Sequence, residues 1–578
     1  MSKNIIIAAA AALVIAAAIA GGVLIGRTTG GDGGERVAAL TPTATAAGQH
    51  SVAFAVDPQY EGRVLLTRSD CTGDGRLTGF FRWTLAPGTE GQPYRIVTVP
   101  WEGIPDSPGR DATSGQAKIG GLVPGREYTV VVYKRDSKDI WAMSTLTAPS
   151  CDDYAAACPP SADLMAQGPV AGATTDTTAR VWLRTCYGTT ARVEYKVAGA
   201  SWAAAQKTAA GDVDPAHDNT LIVTIDGLAP STRYDYRVTV DGILADQPDG
   251  HLWTMPRPGT AAKFRFLTAS DSHQLRTQNR PGVGEAFASM RRSDAQFAIL
   301  LGDLMSVDDF GLFHPSDKEA YLRHYRDNWS QAQFRQLLAG LSTVMMWDDH
   351  DILNDWDQKD AAPYGFAKEA FQDFVGRQNP PPVRSGATYF TFDAGDVSFF
   401  VLDDRSFRDK KDGPDNERKT MLGAEQKQDL KRWLTSSPAK FKFITSGVPF
   451  NDHQTVPLKK NDGWDGFRTE REEIFDFIHD NHVGGVMLIS GDAHWPGVFK
   501  LSHGILEFQT SPAAVSPPNP PPSTEGAPDV LFKDGLKNVF GRFDVDTTAV
   551  PPRVDFTMVQ SDGTELYKLS LTEADLAQ

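Results

Sequence analysis

Six short apolar runs between Phe264 and Trp495 each end in polar, mostly acidic residues: "FRFLTASDSH", "FAILLGDLMS", "TVMMWDDHD", "VSFFVLDDRSF", "KFITSGVPFNDH" and "VMLISGDAHW". Runs of this length read as buried strands. The stretches between them, such as "KEAYLRHYRDNWSQAQFRQLLAGL" and "GAEQKQDLKRWLTSS", carry the periodicity of amphipathic helices. Strands alternating with helices specify an α/β domain with a buried sheet and helices on both faces. Ligands of such sheets bind beyond the carboxyl ends of the strands, where residues distant in sequence converge. One acid after a strand is an ordinary turn or cap residue, but the same pattern at six strand ends points to a site.

The residue types suit two metal ions. Asp348, Asp349, His350 and Asp351 crowd together just past an apolar run, and burying adjacent carboxylates costs free energy unless a cation or hydrogen bonds compensate. Asp271 and His273, at i and i+2, can supply an oxygen and a nitrogen from one turn, and Asp303, after Gly302, can bridge two ions. His494 would complete the first site. Asp349 and Asp492 would face the second, with Asn451 or His453 of "FNDH" as a further ligand. The oxygen-rich second set favours calcium, manganese or magnesium. Two adjacent cations polarise a phosphoryl group and activate a water, so hydrolysis is the expected reaction. The formal net charge of -16 disfavours non-specific attraction to nucleic acid and assigns the positive charge for phosphate chemistry to metal. Arg405 and Arg408 in "DDRSFRD" could clamp a phosphate or pair with neighbouring acids. Asn354 and Asp355 read as substrate contacts or helix caps. No G-x-S-x-G nucleophile elbow occurs in the α/β region.

The 578 residues exceed one hydrophobic core, so a multidomain chain is expected. Residues 1–26, with an uncharged stretch from Ile5 to Ile25 after Lys3, read as a signal peptide or a membrane anchor. Export to the periplasm or the extracellular space, or anchoring facing outward, is therefore expected. Residues 27–50 form a linker. Residues 51–150 and 160–256 each show short β runs separated by turn clusters, the pattern of an antiparallel sandwich. Both contain "GL-x-P-x-x-x-Y", at Gly121 to Tyr128 and Gly227 to Tyr234. The proline fixes φ and the tyrosine hydroxyl can bond to backbone, so this repeat reads as structural. Cys71, Cys151, Cys158 and Cys186 suit disulfides in an exported protein, with Cys71–Cys151 and Cys158–Cys186 as the local pairing. Residues 260–515 form the α/β domain, 516–530 a Pro-rich loop, and 531–578 a closing segment with a hairpin turning at Asp562-Gly563.

The blocks "SDSH", "LLGDLMS", "WDDHDILNDW" and "LISGDAHW" resemble those of the calcineurin-like metallophosphoesterases. "WDDHD", "FFVLDDRSFRD", "MLGAEQKQDLKRWL", "WDGFRTEREEIFDFI" and "SGDAHW" more narrowly resemble the PhoD-like (alkaline phosphatase D) branch, over most of Lys263 to Leu501. The segment with "GPVAGATTDTTARVWLR" is similar to that branch's N-terminal sandwich. The two sandwiches themselves resemble fibronectin III or immunoglobulin-like domains, residues 51–150 lying outside the PhoD-like resemblance, which implies an αββα sandwich with a binuclear metal centre. It also implies hydrolysis of phosphomonoesters or phosphodiesters, with iron or zinc in the first site. Asp349 takes a place usually held by a metal-binding Asn, and His350 follows as the leaving-group acid, with Asp351 or Asp348 as its carboxylate partner. Some members carry a Cys ligand in the first block, where this chain has Asp271-x-His273.

Overall fold

The computed structural model describes residues 64–71, 77–85, 94–99, 104–105, 115–123, 126–134, 140–148, 164–185, 189–245, 247–248, 250–272, 284–307, 315, 317–453, 462–515 and 527–578, with two short strands nearer the N-terminus. The N-terminal apolar segment, Cys151, Cys158, Cys186 and the side chain of Cys71 lie outside this description. Among the described residues no helix is long and apolar enough to cross a membrane. The chain divides into two compact units: Met1–Ala166 with Thr185–Thr190 and Val240–Asp246, and the remainder.

The first unit is a two-sheet sandwich. Val64–Cys71, Leu77–Trp83, Gln116–Leu122 and Ile104–Pro105 form one sheet, and Tyr94–Val99, Glu127–Lys134 and Ile140–Thr147 the other. Alternating residues such as Leu66, Phe81, Val130 and Val132 face inward to one core. The repeated tyrosine does what its sequence suggested. The hydroxyl of Tyr128 accepts from the amide of Val123 at 2.8 Å, and in the second unit Tyr234 accepts from Ala229 at 2.8 Å.

The second unit contains two large sheets packed face to face. We label its α/β strands β1 (Lys263–Ala269), β2 (Phe297–Leu301), β3 (Ser342–Met346), β4 (Phe390–Ala394), β5 (Val397–Val401), β6 (Phe441–Ser446), β7 (Val486–Ser490), β8 (Gly497–Lys500), β9 (Leu506–Gln509), β10 (Val530–Lys533), β11 (Val539–Asp546), β12 (Arg553–Gln560) and β13 (Glu565–Thr572). In one sheet β3-β2-β1 run parallel and continue antiparallel through β11-β12-β13. The other has the order β4-β5-β6-β7-β9-β8-β10, parallel from β5 through β7 to β9. Inward residues alternate with outward ones along each strand. Phe266, Ile299 and Val344 meet Phe399, Phe443 and Ile489 between the sheets. Phe266 lies at the centre, stacked on Phe297 and Phe543 and edge-on to Phe399 and Phe443.

The opposite faces are covered by helices. α1 (Glu285–Arg292), α2 (Lys318–Trp329), α3 (Ala332–Gly340) and α4 (Tyr364–Phe374) bury Phe287, Tyr325, Leu337 and Phe374 against Leu267 and Leu300. α5 (Gly423–Ser436) and α6 (Arg468–Asp480) bury Leu430 and Ile474 against Phe400, Ile444 and Leu488. This is the expected αββα layering.

Residues 160–256 supply two sheets: Met165–Gly172, Ala179–Thr185 and Thr220–Ile225 in one, and Thr190–Val197, Arg233–Val240 and Gly250–Trp253 in the other, the first meeting β3 through the parallel pair Gly172 and Thr343. Buried Arg184 and Arg326 of α2 both grip Asp218, tying this segment to the helical layer. The C-terminal segment extends the sheet. β11 pairs with β1 along six residues from Lys263 to Thr268, so the sheet is incomplete without it.

Candidate metal centre

β1, β2 and β3 of one sheet and β5, β6 and β7 of the other carry their polar strand ends to one rim. Asp271, Asp303, Asp492 and His494 sit there with φ of 58°, 53°, 63° and 59°, a left-handed conformation that costs a non-glycine residue about 1–2 kcal/mol. Sharp turns of this kind aim a side chain back across the strand ends, and such strain clusters at functional sites. Close approach also demands glycine. A Cβ on Gly302, whose φ is +95°, would lie 2.5 Å from the Cβ of Asp348, and one on Gly447 would lie 2.7 Å from Asp348 Oδ1.

The turns bring acids into overlapping groups whose ligand atoms lie within 4.8 Å of one another: Asp271, Asp303 and His494; Asp303, Asp349 and His350; Asp348, Asp349 and Asp492. Asp303 links the first two and Asp349 the last two. A fourth group, Asp349, Asp355 and Asp462, adjoins them. Asp271, Asp303, Asp348, Asp349 and Asp462 are at most 1% exposed. Burial holds the Asp303 carboxyl well above the usual range, reinforced by the charges of Asp349, Asp348 and Asp271. Burial also raises Asp348, although Arg405 opposes the shift. Like charges held this close in a low dielectric call for a compensating cation.

Protein donors hold some of these ligands in place. Asp271 accepts from Ser270 and from Ser511 Oγ, which itself accepts from the His494 amide at 3.0 Å. His494 Nε2 lies 3.1 Å from Asp271 Oδ1. Asp348 Oδ2 is buried and reached by no donor. Carboxylates with one imidazole, and a carboxylate oxygen left for another partner, fit hard to borderline divalent cations.

Several sequence-based assignments change. Arg405 does not present a phosphate clamp: it is fully buried, paired to Asp348 and bonded through Nη1 and Nη2 to Asp462 at 3.3 and 3.1 Å, with Nη2 3.8 Å from Asp349. Arg408, equally buried, donates to the Asp462 carbonyl at 2.7 Å and lies over the Phe467 ring. Of the carboxylates expected to partner His350, Asp351 interacts with it through charge. Asp351 accepts from the amides of Asp348 and Leu304 and from the Tyr325 hydroxyl, and burial pushes it up to about 7. His350 Nδ1 lies 3.5 Å from Ser306 Oγ. Asn451 is buried with its amide nitrogen donating to Glu507 and Gln509 and its Oδ1 accepting from the His453 amide. As placed, its side chain is held by that network. His453 Nε2 pairs with Asp529 at 2.7 Å. Asp355 caps no helix: its amide donates to Asp349 Oδ2 at 2.6 Å. Asp462, unnoticed in the sequence, precedes Gly463 in the loop before "WDGF"; a D-G turn ahead of a helix was its only signal. His273 lies outside the described residues.

Comparison with known proteins now bears on this geometry. Residues 272–525, which span all of the strand-end turns after β1, match the PhoD-like phosphatase family. These residues resemble the members of that family. Residues 162–254 match a domain of unknown function (DUF7800). Alkaline phosphatase D of Bacillus subtilis (strain 168) is 26% identical to this chain over 324 residues, 48% of this chain and 54% of the relative. The match thus spans about half the length of that curated protein. A solved structure of PhoD aligns with a TM-score of 0.57 at 20% identity, covering 70% of this chain and 91% of that one. The purple acid phosphatase PPD1 of yellow lupin seeds aligns at 0.54 and 12% identity, covering 89% and 96%. These two likenesses concern the fold alone.

Proposed function

We propose that this chain is an exported phosphoesterase that hydrolyses phosphate esters with a pair of metal ions. The observation that carries the reading is the sharing of Asp303 and Asp349 among three buried acid groups at one rim. The first ion, iron or zinc, would be held by Asp271, Asp303 and His494, with His273 supplying a further nitrogen. The second, calcium, manganese or magnesium, would be held by Asp303, Asp349 and Asp492. Such a pair supplies Lewis acidity toward the phosphoryl oxygens and a water of lowered pKa. Asp303 orients both halves of the site through its two oxygens. Arg405 holds Asp348 from behind and keeps the acid ring in place without facing substrate. His350, 8% exposed beside rim acids that are nearly sealed, is the group we assign to deliver a proton to the leaving oxygen. Export rests on the apolar segment near the N-terminus. Anchoring through that segment is the alternative to its cleavage.

The test is hydrolysis of matched aryl phosphate mono- and diesters after loading with iron, zinc, calcium, manganese or magnesium, singly and in pairs. Turnover of at least one ester that a chelator abolishes is expected. No turnover of either ester under any loading would overturn the reading.

A further inference from the structure

Building on the phosphoesterase reading, we infer that Lys411 recognises the phosphate group of the ligand at the rim of the acid groups. Two loops flank that rim, residues 354–361 beyond β3 and residues 405–413 beyond β5. Ion pairs join them: Lys359 to Asp409 at 2.7 Å, Lys410 to Asp357 at 3.1 Å, and Lys411 Nζ to Asp355 Oδ2 at 2.6 Å. Asp355 belongs to the group with Asp349 and Asp462, and its amide donates to Asp349. Lys411 therefore stands one carboxylate away from an acid shared by the candidate metal sites.

Its position differs from that of the other cations there. Arg405 and Arg408 are sealed from solvent and held by Asp348 and Asp462. The Lys411 side chain is 16% exposed and its partner Asp355 22%, so solvent and small anions reach the pair. The backbone beneath it is fixed. Lys419 Nζ donates to the carbonyls of Lys411, Gly413 and Gly466 at 2.7, 2.8 and 2.8 Å, and the Lys411 amide donates to Asp357 at 3.0 Å. A rigid loop thus presents one flexible ammonium at the rim. Partly exposed ion pairs contribute little, so exchange of Asp355 for a phosphate oxygen is nearly free, and an ammonium on a four-carbon stem suits phosphate as a point charge.

The test is calorimetric titration of the metal-loaded protein with inorganic phosphate, alongside hydrolysis of an aryl monoester. Lys411→Gln should weaken phosphate binding about tenfold, the effect of losing one charge-assisted hydrogen bond, and Lys411→Arg should restore most of it. Lys410→Gln, which breaks the neighbouring loop pair, should bind like the wild type. Phosphate affinity unchanged in Lys411→Gln, or lost equally in Lys410→Gln, would overturn the assignment. If the wild type binds phosphate through Lys411 yet hydrolyses no ester, the phosphoesterase reading falls and this one stands. If hydrolysis occurs while Lys411→Gln binds phosphate normally, the reverse holds.

Discussion

Two aspartate pairs follow buried strands of this molecule, Asp348–Asp349 after β3 and Asp403–Asp404 after β5, and all four residues are at most 1% exposed. In sequence they look alike: an apolar run, two acids, then a basic residue. Their surroundings differ. Asp403 accepts from Trp347 Nε1, from the amides of Arg405 and Ser406, and from the hydroxyls of Thr388 and Ser406. Asp404 accepts from Ser446 Oγ and the Gly447 amide. The Asp348–Asp349 pair instead faces Asp303 and Asp492, with Arg405 as the nearby cation. Asp404 Oδ1, like Asp348 Oδ2, is buried without a donor, so burial alone does not mark a metal site; what separates the pairs is the further acids gathered around Asp348 and Asp349.

The largest expected effect comes from Asp303. Asp303→Asn should lower ester hydrolysis about a thousandfold, the several kcal/mol that metal-based charge stabilisation supplies. In chelated protein the same variant should melt above the wild type, because a repulsive buried charge is gone, whereas Asp403→Asn should melt below it. Thermal unfolding in a chelator checks that opposition of sign. Gly302→Ala should destabilise by about 3 kcal/mol through a left-handed Ala and a clash with Asp348, measured by denaturant unfolding.

The Asp403–Asp404 pair leaves a mark on pH dependence. Burial pushes Asp404 up to about 7, against about 3.9 in an unfolded chain. Between those values the folded state holds a proton that the unfolded state has lost. Stability therefore falls as pH rises through this window, and the loss is complete above it. Asp404→Asn should remove most of that fall in unfolding experiments from pH 4 to 8, with Asp351 leaving a residual slope. Asp403→Asn should cost least, about 1 kcal/mol. Its Oδ1 still accepts three N–H groups, and the hydroxyls of Thr388 and Ser406 can rotate to accept from the new amide.

The same contrast explains what could be read from the chain beforehand. Strand periodicity and acids at strand ends are local signals, and they led to the αββα layers and to Asp271, Asp303, Asp349, Asp492 and His494, which the fold brings to one rim. The roles of Arg405, Asp351 and Asn451 depend on partners 26 to 58 residues away, and a guanidinium suits carboxylate and phosphate equally well. Asp462 carried no strand-end signal because a loop delivers it.

The most direct test of the shared acid ring is the metal content of the purified chain, measured by plasma mass spectrometry on wild type and Asp303→Asn after metal loading and removal of excess. Two equivalents per chain are expected for the wild type and at most one for the variant. A wild type that retains none, or a variant that keeps both, would contradict a binuclear centre built on Asp303.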